Sequence, residues 1–230
     1  MTQAIVQSPA GVTLVGAGAL TKPALAAALA LAPRLVAADG GADRALALGH
    51  APEAVIGDLD SLTPAARTTL PPDRLYRIDE QETTDFDKAL RHVSAPFVLG
   101  LGFWGPRFDH GLAALNTLAR HPDRACILLG GSDLCFLAPR DLTLHLRKGS
   151  RLSLFPLAPV KGESAGLEWP IEGLEFAPDG RVGTSNRVVA GEVRLSFSAP
   201  RMLVILPRGQ LAAAVRALAP GALPAPVRGG

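Results

Sequence analysis

The sequence has little of three features that mark whole classes of protein: cysteine, aromatic side chains and an excess of one charge. Its two cysteines, Cys126 and Cys135, stand nine residues apart. This spacing gives neither a disulfide framework nor a zinc-binding pattern, so we expect two reduced thiols. Aromatic residues make up 5% of the chain and the formal net charge is +2, with no basic run interleaved with aromatics. These absences argue against a nucleic-acid partner.

A long hydrophobic run is also missing. The most apolar helical stretch, residues 24–32, is too short to span a bilayer, and Lys22 and Arg34 stand just outside its ends. The N-terminus lacks the basic region of a signal peptide. We therefore expect a cytoplasmic protein without a membrane partner.

The composition is that of a globular protein with many turns. The chain has 230 residues, 48% of them hydrophobic, and a mean hydropathy of +0.24. A chain of this length and apolarity can bury a substantial core, which excludes a disordered polar protein. Glycine and proline number 24 and 20 without a three-residue period, which excludes a collagen-like chain.

Up to about residue 130, short apolar runs alternate with helical patterns. Strands are predicted over residues 12–15, 34–38, 54–56, 75–78, 96–101 and 125–129. Thr63 followed by Pro64 is typical of a helix N-terminus, and Thr83 or Thr84 could cap the helix that ends near Val93. Strands that alternate with helices predict a parallel sheet with helices on both faces.

The pattern changes near Leu134. Residues 142–146 and 151–155 alternate between apolar and polar positions, which predicts a hairpin. More strands and few helical signals follow until residues 210–218. The fold class is therefore α/β, with an N-terminal Rossmann-like parallel sheet flanked by helices, followed by a C-terminal all-β sandwich. The predicted boundaries are 1–138 for the α/β domain, 139–220 for the β-sandwich domain and 221–230 for a tail.

Several polar clusters share one position, the C-terminal end of a predicted parallel strand. Asp39, the pair Asp58 and Asp60, residues 79–85 and residues 107–110 each follow such a strand. In open α/β sheets, ligands bind in the crevice at this edge. The clusters therefore predict one polar site.

The pair Asp58 and Asp60 suggests a metal. In extended backbone, side chains two residues apart point the same way, and two converging carboxylates repel unless a cation lies between them. Asp85 could supply a third oxygen from a helix N-terminus. Oxygen ligands without His or Cys suit Mg²⁺, which often shares substrate phosphates. The alternative is that residues 57–61 form only a turn and a helix cap.

The other polar groups leave alternatives open. Residues 16–18, Gly-Ala-Gly, form either a phosphate site or a tight turn, and the incomplete fingerprint argues against a nicotinamide dehydrogenase. Lys88 shares a helix face with Asp85 and could neutralise phosphate. Arg107 suits phosphate oxygens, whereas Asp109 either caps a helix or holds a metal-bound water. His110 alone is either structural or catalytic.

Taken together, the motifs resemble a known family. Asp39-Gly-Gly-Ala42, Gly57-Asp-Leu-Asp-Ser61, Gln81 with Thr84-Asp-Phe-Asp-Lys88, and Arg107-Phe-Asp-His110 occur in the order and spacing of thiamine pyrophosphokinases. Three segments of the β region also resemble the thiamine-binding domain of that family: Ser153-Leu-Phe-Pro156, Gly166-Leu-Glu-Trp-Pro170 and Thr184-Ser-Asn186. The resemblance covers roughly residues 12–207.

The resemblance implies an enzyme that transfers the pyrophosphoryl group of ATP to the hydroxyl of thiamine, giving thiamine diphosphate and AMP. It implies a homodimer with the thiamine site at the subunit interface, Mg²⁺ as cofactor and ATP as co-substrate. The implied catalytic residues are Asp58, Asp60, Asp85 and Asp109, of which the first three would bind Mg²⁺. The implied nucleotide and phosphate site consists of Asp39, Gly40, Gly41, Gln81, Thr84, Lys88, Arg107 and His110. The implied thiamine contacts are Trp169, Ser185 and Asn186, although Trp169 could equally be a core residue.

Two departures from the family pattern affect the phosphate site. Pro106 stands where the family often has glycine, and it removes a backbone N–H that could meet a phosphate. The second departure is Glu80, which stands at the position directly before Gln81 where the family usually has an acidic residue.

Two other functions fit the N-terminal motifs: a pyrophosphokinase for another hydroxymethyl heterocycle such as a pterin, and a non-catalytic sensor of nucleotide or thiamine. The β region favours thiamine, and the full set of carboxylates favours an enzyme.

Overall fold

The computed structural model describes residues 3–105 and 107–224. The chain divides into two compact units. The N-terminal unit comprises the described residues of Met1–Leu118 and Leu128–Gly130, and the C-terminal unit comprises those of Ala119–Ile127 and Gly131–Gly230. The predicted domain limits 1–138 and 139–220 stay a prediction, and most of the predicted tail, residues 225–230, lies outside the described residues.

Strands and helices alternate in the first half of the chain. In order, they are β1 Val6–Gln7, β2 Val12–Val15, α1 Lys22–Leu29, β3 Arg34–Ala38, α2 Gly41–Ala47, β4 Ala54–Gly57, α3 Pro64–Thr69, β5 Leu75–Arg77, α4 Asp85–His92, β6 Val93–Ser94, β7 Val98–Leu101, α5 Phe108–Arg120 and β8 Cys126–Leu129. A 3₁₀ turn at Pro72–Arg74 precedes β5. Thr63 and Thr84 cap α3 and α4, because their side chains accept hydrogen bonds from Ala66 N and Asp87 N.

Five strands of the N-terminal unit form parallel pairs in the order β7-β2-β3-β4-β5. All residues of β2 and β4 are buried, as expected for strands that are covered on both faces. The register places Val15 beside Leu101 and Ala37, and Ile56 beside Tyr76. The carboxyl ends of these strands therefore meet at one edge, where their loops lie side by side.

Antiparallel strands dominate the second half. They are β9 Asp133–Leu137, β10 Asp141–His145, β11 Arg151–Pro156, β12 Val160–Ala165, β13 Glu175–Phe176, β14 Gly183–Arg187, β15 Glu192–Phe197 and β16 Met202–Pro207, followed by α6 Leu211–Leu218. One group of strands has the order β14-β11-β16-β9, and a separate four-stranded sheet has the order β10-β15-β12-β13. The chain thus combines an α/β region with an antiparallel β region, as predicted.

The predicted hairpin of residues 142–146 and 151–155 is wrong. Both segments are strands, but β10 pairs with β15, and β11 pairs with β14 and β16. Alternating burial identifies a half-buried strand but does not specify its partner. None of the helices in the described ranges is long and apolar enough to cross a membrane.

Candidate functional site

A cavity of about 680 Å³ opens at the carboxyl edge of the parallel strands in the N-terminal unit. This volume is within the usual range for a small-molecule site. It is lined by nine of the predicted site residues: Asp39, Gly40, Asp58, Gln81, Thr84, Asp85, Lys88, Arg107 and His110. The structure therefore brings together four separate sequence motifs.

Three other predicted residues do not line the described part of this cavity. Gly41 is buried beneath β2, where a Cβ atom would stand 2.0 Å from the carbonyl oxygen of Val15. Asp60 belongs to the carboxylate cluster described next. Asp109 is exposed, and its Oδ2 lies 2.6 Å from Arg107 Nη2. The Arg107 hydrogen bond holds the pKa of Asp109 below its usual value. Pro106, which stands where the family pattern often has glycine, lies outside the described residues.

Asp39, Asp58 and Asp60 converge. One carboxylate oxygen of each lies within 4.8 Å of the others. Asp39 is 3% exposed, and burial raises the pKa of its carboxyl group. Its Oδ2 accepts a hydrogen bond from Ser61 N at 3.2 Å, but among the described residues no donor reaches its Oδ1. A buried oxygen without a partner is costly, and a cation would satisfy it.

Asp85 lies beside this cluster and contacts Lys88. The Lys88 ammonium, which is 2% exposed, is 3.2 Å from Asp85 Oδ1 and 3.3 Å from Asp58 Oδ2. Desolvation opposes the charge on Lys88, but Asp85 and Asp58 outweigh it and raise the pKa of Lys88. Desolvation also opposes ionisation of Asp58, yet the Asp60 N–H and Lys88 hold the pKa of Asp58 below its usual value.

The convergence of Asp58 and Asp60 does not come from extended backbone, so that part of the reasoning is wrong. Leu59, between them, has φ of +65°, a left-handed conformation that is costly for a branched residue. Its side chain is buried with Ala37, Val55 and neighbouring residues in a core cluster. Arg67 donates a hydrogen bond to the Leu59 carbonyl oxygen. Packing and this bond therefore hold a strained turn that aims both carboxylates at one point.

Gly57 allows these carboxylates to come close to the sheet. A Cβ at this position would stand 2.9 Å from Asp39 Cβ and 3.0 Å from Asp85 Oδ1. Real Cβ atoms essentially never approach other atoms closer than 3.0 Å. The glycine is therefore required for Asp39 and Asp85 to flank the end of β4.

The Gly16-Ala17-Gly18 segment forms a tight turn against the loop after β7. Gly16 N donates to Leu101 O at 2.8 Å, and Gly18 N donates to Gly102 O at 2.9 Å. A Cβ on Gly18 would lie 2.5 Å from Gly102 O. Both amides already have partners, which favours the tight turn over the phosphate site for these two glycines.

Arg44 is the main functional candidate that the sequence reasoning missed. It lines the cavity from α2, and its Nε donates to Ala17 O at 3.0 Å. Its position three residues after Gly41, one helical turn into α2, could have pointed to it. Lys88 and Arg107 both have carboxylate partners, whereas in the described ranges Arg44 bonds only through Nε to Ala17, which leaves its terminal nitrogens available to an anion. Phe103 also lines the cavity, 4.3 Å from the Phe86 ring centroid.

The C-terminal unit holds a second cluster around Trp169. This side chain is 55% exposed, which excludes the core position that the sequence left open. Asn186, 8% exposed, accepts from Trp169 N at 3.2 Å and donates from Nδ2 to Trp169 O at 2.7 Å. Asn186 therefore fixes the backbone of Trp169 through both ends of its side-chain amide, and its Oδ1 also accepts from Arg187 N at 2.8 Å.

Ser185 directly precedes Asn186 in β14. Its φ of +62° is a left-handed conformation, and its N–H donates to Ser153 Oγ at 3.0 Å. The Arg187 guanidinium lies 6.0 Å from the centroid of the Trp169 ring and forms an ion pair with Glu168. An exposed ring thus stands beside a strained serine on a fixed backbone, an arrangement typical of a binding surface.

Two family models match the chain. The model described as "Thiamin pyrophosphokinase, catalytic domain" matches residues 25–128, and the model described as "Thiamin pyrophosphokinase, vitamin B1 binding domain" matches residues 141–202. The first range includes all the predicted N-terminal site residues from Asp39 to His110. The second includes Trp169, Ser185 and Asn186.

Individual proteins agree with the family models. Thiamine pyrophosphokinase 3 of Oryza sativa subsp. japonica is 30% identical over 198 residues, which cover 68% of this chain and 74% of the relative. Thiamine pyrophosphokinase 1 of Arabidopsis thaliana is 30% identical over 185 residues, covering 66% and 69%. The solved structure of thiamin pyrophosphokinase from Candida albicans matches with a TM-score of 0.73 and 18% identity, over 89% of this chain and 93% of that chain. At that identity, the structural likeness shows a shared fold.

Proposed function

This chain belongs to the thiamine pyrophosphokinase family, and we propose that its N-terminal cavity binds Mg-ATP while the Trp169 cluster binds thiamine. The enzyme transfers the pyrophosphoryl group of ATP to the hydroxyl of thiamine, giving thiamine diphosphate and AMP. The observation that carries the assignment of the cavity is the group of converging carboxylates beside the buried Lys88.

The carboxylates suit Mg²⁺. Their donors are all oxygens, and the partnerless, buried Asp39 Oδ1 is a natural ligand atom. The resemblance assigns the metal to Asp58, Asp60 and Asp85, and we propose that Asp39 contributes to the same site. When bound, Mg²⁺ neutralises charge on the phosphate oxygens and on the AMP leaving group.

Cationic side chains supply the rest of the charge balance for ATP. Phosphoryl transfer depends on positioning and charge neutralisation rather than on a protein nucleophile, since thiamine brings its own hydroxyl. Lys88 is held rigidly between Asp58 and Asp85, at the end of the cavity where the carboxylates converge. Arg44 and Arg107 line the cavity and would contact phosphate oxygens, and Gly40, Gln81, Thr84 and His110, which line the same cavity, would complete the nucleotide and phosphate site.

Asp85 is the better candidate to accept the hydroxyl proton. Both carboxylates have a cationic partner, but Asp85 lines the cavity, whereas Asp109 is exposed and does not line the described part of it. A general base must come within hydrogen-bond reach of the proton that it removes. We therefore assign Asp109 the role of orienting Arg107 rather than the role of base.

For thiamine, we propose that the Trp169 ring forms one wall of the pocket. Ser185 would hydrogen-bond the aminopyrimidine, as the resemblance implies. Asn186 would act through Trp169, because both ends of its amide are already bonded to that residue's backbone.

The larger organisation follows from the same resemblance. We propose a cytoplasmic homodimer with the thiamine site at the subunit interface, built from a Rossmann-like domain and a β-sandwich domain. Activity should then fall when the dimer is diluted to monomers. Full activity in a demonstrated monomer would contradict the shared site.

The function is tested by AMP release from ATP and Mg²⁺ with and without thiamine, with the product identified by mass. Thiamine-dependent AMP together with thiamine diphosphate is expected. AMP with a pterin alcohol but not with thiamine would move the substrate to another heterocycle. Binding of ATP without AMP from either acceptor would favour a sensor.

A further inference from the structure

Residues 79–84, which lie between β5 and α4, contribute three residues to the cavity wall. Gln81, Thr83 and Thr84 all line the cavity. The segment has no strand or helix of its own, and Gln81 is exposed. A segment of this kind needs side-chain bonds to hold one conformation, because the backbone ladder does not fix it.

Arg91, on α4, provides those bonds. Its Nη2 donates to Glu80 Oε2 at 2.8 Å and lies 3.3 Å from Thr83 Oγ1. Thr83 in turn donates to Glu80. At its other end, Arg91 Nε lies 2.9 Å from Asp87 Oδ1, one turn earlier on the helix, as an ion pair in which the Nε–H makes no hydrogen bond within the described residues. One guanidinium therefore joins both flanks of Gln81 to the helix that carries Asp85 and Lys88.

The surroundings make this network stronger than an ordinary surface ion pair. The side chain of Arg91 is 23% exposed, that of Glu80 31% and that of Asp87 1%. Hydrogen bonds from Thr83 and then Arg91 hold the pKa of Glu80 below its usual value. By contrast, Arg77 and Asp79 form an ion pair at the start of the same segment with side chains 68% and 70% exposed. Exposed pairs of this kind contribute little.

We propose that Arg91 is a positioning residue that fixes residues 80–84, so that Gln81 and Thr84 face the reacting groups in one conformation. Neither Arg91 nor Glu80 lines the cavity, so both act through the residues between them. The inference rests on the proposed function for its kinetic consequence and on geometry alone for its effect on the segment. Loose positioning of a binding segment lowers rate because fewer molecules hold the productive geometry.

The test uses three variants and a matched control. Glu80→Gln weakens the network and leaves the pair of Arg91 with Asp87 intact. Arg91→Met removes the guanidinium that joins the network. Arg91→Lys keeps the charge but loses the planar guanidinium that contacts several partners at once. Arg77→Gln removes the exposed ion pair of the same segment and serves as the control.

Two readouts are needed: kcat and KM for thiamine and for ATP, and amide hydrogen exchange of residues 79–84 compared with that of α4. We expect Arg91→Met to lower kcat/KM about tenfold or more and Glu80→Gln by about threefold, with Arg91→Lys in between. Exchange should accelerate in residues 79–84 while the core of α4 stays protected. Arg77→Gln should match the wild type in both readouts.

Three results would overturn the inference. One is unchanged exchange in residues 79–84 of both Glu80→Gln and Arg91→Met. Another is faster exchange with unchanged kinetics, which would leave the network structural only. The third is a loss of activity that appears only together with general unfolding of α4. A wild-type protein that makes no thiamine diphosphate would contradict the proposed function instead. The exchange measurement would still test whether Arg91 holds residues 79–84 in one conformation.

Discussion

The two clusters of this molecule hold their side chains in different ways. In the N-terminal cavity, Asp39 and Lys88 are 3% and 2% exposed, and the carboxylates of Asp58 and Asp85 hold the Lys88 ammonium. In the C-terminal cluster, Trp169 is 55% exposed, and hydrogen bonds to its backbone hold it. Charges that must neutralise phosphate benefit from a desolvated, preorganised setting. A ring that stacks on a substrate needs a fixed backbone and a free face.

The largest expected effect comes from breaking the carboxylate cluster. We expect Asp58→Asn or Asp60→Asn to lower turnover at least about 100-fold, because a charged oxygen aimed at the metal and phosphates is lost. Direct titration with Mn²⁺ should show weaker metal binding, and thermal unfolding should stay cooperative. Asp73→Asn, an exposed aspartate near β5, is the control. Near-normal turnover of either variant at limiting Mg²⁺ would contradict the metal assignment.

The next effect comes from crowding the same cluster without changing any charge. Gly57→Ala places a methyl group against Asp39 and Asp85. We expect turnover to fall about thirtyfold and stability by about 1–3 kcal/mol, because overpacking displaces both carboxylates. Denaturant unfolding and initial rates measure the two effects. Gly209→Ala, where a Cβ would meet nothing within 4 Å, is the matched control. Equal effects of the two variants would contradict the close approach.

A smaller effect is expected from removing Arg44, a cavity-lining cation for which no carboxylate partner lies within the described residues. Arg44→Gln should raise KM for ATP about tenfold and leave KM for thiamine unchanged, since a charge-assisted bond to phosphate is lost. Arg34→Gln, which removes an exposed pair with Glu53, is the control. If KM for ATP does not change in Arg44→Gln, Arg44 does not contact the nucleotide.

The smallest of these effects concerns the exposed ring. Trp169→Ala should raise KM for thiamine about fivefold, the scale of one stacking contact, with little change in stability. Trp169→Phe should retain most of the affinity. A large loss of stability in Trp169→Ala would mean that the ring serves packing rather than binding.

The sequence predicted the elements of the N-terminal unit better than the pairing in the C-terminal unit. Thr63, and the choice between Thr83 and Thr84, marked helix starts because capping is a local interaction, and the structure caps the helices with Thr63 and Thr84. The partner of β10 is β15, about fifty residues later, and apolar alternation carries no information about that choice. The hairpin prediction failed for this reason.

The candidate site shows the same division. Its motifs met in one cavity because parallel strands end at a common edge. The grouping of Asp39 with Asp58 and Asp60 depends on left-handed backbone at Asp39 and Leu59, which tertiary packing imposes. Aspartate adopts a left-handed conformation more readily than most residues, but leucine rarely does, so the sequence could name the carboxylates but not their geometry.

The most direct test of the assignment of ATP to the N-terminal cavity and thiamine to the Trp169 cluster is a set of initial rates. These are measured over a range of both substrate concentrations for wild type, Arg44→Gln and Trp169→Ala. The expected result is a split: Arg44→Gln raises only KM for ATP, and Trp169→Ala raises only KM for thiamine. If Trp169→Ala instead raises KM for ATP, or Arg44→Gln raises KM for thiamine alone, the assignment of the two substrates to the two clusters is wrong.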